Sequence, residues 1–112
     1  MDQKTFESSM VVKYGAGKVA GVAIRGGFVY FRQPSQEEWD EFLALKEGEE
    51  ADRMAYMRML HICYLGAIVG GEQSKETLDD LAAKEGPAFI AGPCGKTLNK
   101  LAGMGDRTAR FL

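Results

Sequence analysis

Histidine is almost absent from this chain, cysteine and proline are scarce, and no charge sign dominates. The single histidine, His61, excludes a multi-histidine zinc site and any mechanism that needs two imidazoles. Two cysteines, Cys63 and Cys94, cannot make a disulfide framework, so a reducing cytoplasm is the expected compartment. No apolar run approaches the roughly 20 residues that span a bilayer, and the first residues lack the apolar core of a signal peptide. No membrane partner is therefore expected. A formal net charge of −2 argues against general nucleic-acid binding, which needs a basic patch or stripe. Lys96, Lys100, Arg107 and Arg110 still make the C-terminal end basic.

What the 112 residues do contain is ordinary for one globular domain: 46% hydrophobic and 27% charged. The clearest stretch runs over residues 25–45. Gly26-Gly27 can supply a hairpin turn, and Phe28-Val29-Tyr30-Phe31 is a compact aromatic and β-branched strand. Pro34 stops it. Ser35 with Glu38 makes a capping box, and Trp39, Phe42 and Leu43 form the buried stripe of the helix that follows. Upstream, Phe6, Ser8, Met10, Val12 and Tyr14 alternate as a strand would, and residues 19–24 read as another. The expected fold is α+β, a small N-terminal antiparallel β-meander followed by a bundle of about four helices. The meander covers residues 5–33, the helical part 35–103, and 104–112 is expected to be a mobile tail of the same single domain. Within the helical part, one helix runs over 50–69 to Gly70-Gly71. Ser74 caps the next, which Gly86-Pro87 closes, and Gly92-Pro93 interrupts the last segment.

Two stretches imitate nucleotide-binding loops. Residues 15–20 fit G-x-G-x-x-A, but that fingerprint needs a helix N-terminus behind it, and 21–27 is a poor helix ending in a hairpin. Gly92-Pro93-Cys94-Gly95-Lys96-Thr97 has too few residues between its first glycine and Gly-Lys-Thr to wrap a phosphate. His61 and Cys63, two apart on a helix, point to different sides and do not share a metal readily. The acidic clusters read as solvated helix faces. No cofactor, no metal and no catalytic residue is expected, and the chain is read as no enzyme.

The order Gly26-Gly27-Phe28-Val29-Tyr30-Phe31-Arg32-Gln33-Pro34-Ser35, with Glu38 following, resembles a family. A strand of the form G-G-x-V-Y-F-R-x-P-[ST]-x-x-E, then helices, is similar to the tail assembly chaperones of long-tailed bacteriophages and prophages. The resemblance covers about residues 20–103. It implies a non-enzymatic role in the cytoplasm of a host bacterium, with the helical tape-measure protein as partner and tail tube protein as a further one. Self-association is compatible with it. Helix-in-groove binding suits methionine-rich surfaces, because the thioether repacks at little cost. Met54, Tyr56, Met57, Met59 and Leu60 are the candidate partner-binding residues, with Trp39 and Phe42 behind them. Met57 and Leu60 also fit a plain core. Met59 and Tyr56 point elsewhere on the helix and are the better candidates for the surface. The alternatives are a structural virion component, such as a tail or connector subunit, and a small ligand-binding domain.

Overall fold

A computed structural model of the chain describes residues 1–45 and 49–103, with backbone alone for 49–53. A four-stranded antiparallel sheet, in the order β1-β2-β3-β4, lies between one helix and a layer of helices. The elements are α1 (Gln3–Tyr14), β1 (Val19–Ile24), β2 (Gly27–Arg32), α2 (Gln36–Leu45), α3 (Glu49–Cys63), β3 (Tyr64–Val69), β4 (Glu72–Ser74), α4 (Leu78–Glu85) and α5 (Gly95–Leu101). A π-helical turn, Ile90–Cys94, runs directly into α5. The α+β class therefore stands. No helix among the described residues is long and apolar enough to cross a membrane. The proposed tail, 104–112, lies outside the described residues.

Alternation along β2 divides the core. Tyr30 points to one face, where it packs with Val19, Ile68 and Phe6 of α1. Val29 and Phe31 point to the other, where Phe42, Leu60, Leu78, Leu81 and Leu98 gather. The Tyr30 hydroxyl donates to Glu7 Oε2 at 2.5 Å, pinning α1 to the sheet. Burial, then that hydrogen bond, raises the Tyr30 pKa well above its ordinary value.

Two of the expected boundaries move. Residues 6–14 belong to α1 rather than to a first strand of the meander. Phe6, Met10 and Tyr14 also recur every four residues, and that helical face is the one packed on the sheet. Val12, which a strand would have placed beside them, is 87% exposed. Asp2 decides the matter locally, since its carboxylate accepts from Thr5 N–H at 2.8 Å as an N-cap. The third strand lies instead at 64–69, at the end of what reads as one long helix. Gly70 and Gly71, with φ of 64° and 84°, form the two-residue hairpin turn that needs positive φ at both centres. That turn pairs Val69 with Glu72.

Smaller shifts follow the same logic. The first hairpin turns on Arg25-Gly26, because Ile24 pairs with Gly27. The N-cap of α4 is Thr77, in a reciprocal capping box with Asp80. Ser74 instead accepts from Glu76 N–H at 3.1 Å, at the end of β4. Gly92-Pro93 does not interrupt the last segment, because Pro93 sits inside the π-helical turn. There Cys94 N–H reaches Phe89 O at 3.2 Å, five residues back.

Candidate partner-binding groove

The buried stripe of α3 is made by Ala55, Met59, Leu60 and Cys63, all under 5% exposed. That settles where the five residues singled out by sequence stand. Leu60 is core. Met59 is core too, at 3% exposure, which corrects its placement on a partner surface: it shares the inner stripe with Leu60 and accepts the Cys63 thiol at 3.8 Å. Tyr56 is half-buried, edge-on to Phe42 at 4.9 Å, and its hydroxyl accepts from Asn99 Nδ2 at 3.0 Å. It clamps α3 to α5. Trp39 stacks on Phe42 behind it. Met57 is half-buried and Met54 is 69% exposed. Met54 and Met57 lie on different stripes of the helix.

Met57 faces a groove of about 410 Å³ between α3 on one side and α4 with the π-helical turn on the other. The other walls are Ala82 and Ala83 of α4, Gly86-Pro87 at its end, and Ile90 and Ala91 of the turn. The space exists because the side chains opposite Met57 are small. Gly86, at φ 111°, ends α4 and lets Pro87 swing the chain around it. No lining residue has a polar side chain. Just beyond, one turn along α3 from Met57, His61 bridges to the first turn of α4. Its Nε2 lies 3.0 Å from Asp79 Oδ1 and its Nδ1 2.7 Å from Met57 O. Sequence reading placed Ala82 inward but missed Ala83, Pro87, Ile90 and Ala91 as a site, because small residues carry no amphipathic signal.

The other candidate chemistries separate in space. His61 is exposed, while Cys63 is fully buried. Burial pushes the Cys63 thiol up to about 11 and the Cys94 thiol up to about 12, so neither is a thiolate near neutral pH. No group of three metal-type ligands is present among the described residues. Residues 15–20 form the C-cap of α1, a turn and the start of β1, with no helix behind the glycines. At 92–97 the N–H groups of Cys94 and Gly95 point back to carbonyls within the turn, not outward to a phosphate. Comparison with protein-family models, curated proteins and solved structures finds no match to this chain.

Proposed function

We propose that this chain is a tail assembly chaperone of a long-tailed bacteriophage or prophage, a non-enzymatic protein that holds an amphipathic helix of the tape-measure protein in the α3–α4 groove. One observation carries the reading of the groove: it is open, apolar and without a polar side chain. An extended peptide lying there would leave its backbone N–H and C=O groups unanswered, whereas a helix satisfies its own. The small walls leave room for large apolar knobs, and Met57 can repack around them. The phage context comes from the resemblance of residues 20–103, centred on the motif from Gly26 to Glu38.

The test pairs the purified chain with a tape-measure protein, read by co-purification and by titration of its helical fragments. Ala83→Asp puts a charge on the groove wall at an exposed position. It should weaken binding by about tenfold or more, while Val12→Asp, on the opposite side of the sheet, leaves binding unchanged. A folded Ala83→Asp variant that binds as tightly as the parent would remove the groove from the account.

A further inference from the structure

α4 rests on a narrow ridge. Of its eight residues only Leu78 and Leu81 are buried, one helical turn apart on its inner side. A hollow lies on each flank of that ridge. On one flank Ala82 and Ala83 face the groove of about 410 Å³. On the other, Leu81, Lys84 and Glu85 face a hollow of about 360 Å³, whose far wall is Ile24 and Arg25 of the first hairpin and Val69 of the second. Each flank also carries one polar tie. Asp79 Oδ1 lies 3.0 Å from His61 Nε2 of α3 on the groove side. Glu85 Oε1 accepts from Arg25 N–H at 3.0 Å on the sheet side. Lys84 pairs with Glu76, in the segment that leads into α4, so that link travels with the helix.

We infer that α4 is a rocking jaw. It tilts on the Leu78–Leu81 ridge, toward α3 to narrow the groove and toward the hairpins to widen it. A close-packed helix has nowhere to tilt. Here the space that α4 fills on one flank is space that it leaves on the other, and both leucines stay buried at the pivot. The two ties oppose each other, and both are exposed, so each biases the equilibrium by only about two- to fivefold. Gly86, at φ 111°, takes up the backbone change at the C-terminal end. A helix with its side chains is about 10–12 Å across, so the widened state is the one that admits it. That use of the jaw rests on the groove reading above; the motion itself does not.

Methyl relaxation dispersion on the free full chain tests it, since the method reads microsecond-to-millisecond exchange. Methyls of Met57, Ala82 and Ala91 on the groove flank and of Ile24, Leu81 and Val69 on the other should report one exchange process with a common rate. Val29, Leu60 and Leu98, in the core beneath, should stay flat. His61→Ala cuts the groove-side tie and Glu85→Ala the sheet-side tie, so the two should move the populations in opposite directions by about two- to fivefold. Glu85→Gln keeps an acceptor for Arg25 N–H and should fall between Glu85→Ala and the parent. Flat profiles on both flanks overturn the inference. So do unrelated rates on the two flanks, or populations that the two alanine variants shift the same way. Failure of tape-measure helices to bind a chain that shows this exchange would remove the groove reading and leave the jaw standing.

Discussion

The Glu38 carboxylate accepts from Ser35 N–H at 2.8 Å and from both terminal nitrogens of Arg32, at 2.9 and 3.0 Å. Ser35 Oγ answers by accepting from Glu38 N–H at 3.1 Å. The end of β2 and the start of α2 are thereby tied through one side chain, and the guanidinium, foremost, holds the Glu38 pKa down to about 2 from an ordinary 4.5. The sign follows from linkage: a depressed carboxylate stabilises the fold above its unfolded pKa, and that stability drains as pH falls from about 4.5 toward 2. With both side chains about a quarter exposed, screening reduces the contribution to on the order of 2 kcal/mol. Glu38→Gln should therefore lower the urea midpoint at pH 7 and leave a much smaller difference at pH 2; equal losses at both would contradict the ion pair. Arg32→Lys should also destabilise, because lysine cannot reproduce the bidentate fork. Gly27 is the other decisive residue. A Cβ there would stand 1.7 Å from Ile68 O, a backbone atom that no rotamer change can move. Gly27→Ala should cost about 3 kcal/mol or more by parting β2 from β3, measured by equilibrium unfolding.

At the scale of elements, α3 supplies the sharpest contrast between neighbouring methionines. Met59→Ala opens a hole in the core and should cost about 2–5 kcal/mol; Met54→Ala removes an exposed side chain and should change stability by roughly 0.5 kcal/mol or less. Comparable losses in thermal unfolding would displace the inner stripe. The same helix shows what the sequence could and could not disclose. Its stretch of Met54, Met57, Met59 and Leu60 is apolar on several sides, so periodicity alone does not say which methionine faces in. Contacts with α2, α5 and β2 decide it. The segment 35–45 was legible because the signals agreed on Pro34, the capping box and Phe42. Leu43, read into the buried stripe with Trp39 and Phe42, is 47% exposed, since one turn of helix cannot turn both Phe42 and Leu43 fully onto the core. Residues 6–14 were ambiguous because Phe6, Met10 and Tyr14 satisfy both a period of two and a spacing of four. Residues 64–69 were hidden by an apolar run continuous with α3. Gly66 inside a presumed helix, at a cost of about 1 kcal/mol, and the paired glycines at 70–71 were the available warnings. The groove was illegible for a different reason, since it is a space between Met57 and a stretch about 25 residues further on that is rich in small side chains.

Across the whole molecule, the buried titratable groups set the conditions under which the fold survives. Apart from Glu38, the large shifts described above belong to acids held neutral by burial. Cys63 is raised to about 11 and Cys94 to about 12 from an ordinary 9.0, and Tyr64 to about 12 from 10.0, with burial the leading cause in each. These three sit in or against the core between the sheet and the helical layer. For an acid whose folded pKa is raised, the stabilisation is complete below its unfolded pKa. It is lost as pH rises from there toward the folded value, because the unfolded chain ionises first. Stability should thus be level from about pH 5 to about 8.5, fall gently on the acid side through Glu38, and fall steeply between about 9 and 12. Replacing Cys63 and Cys94 together by alanine should flatten the early part of the alkaline limb, near pH 9–10, although the deleted sulfur atoms lower stability at neutral pH. Thiolate absorbance provides an independent reading. In the parent chain it should not precede the loss of ellipticity near pH 9–10, because the buried thiols, raised to about 11 and 12, stay neutral there. Thiolate signal at pH 9 in a chain that is still folded would show that water reaches these sulfurs, and that the helical layer is not closed over the sheet.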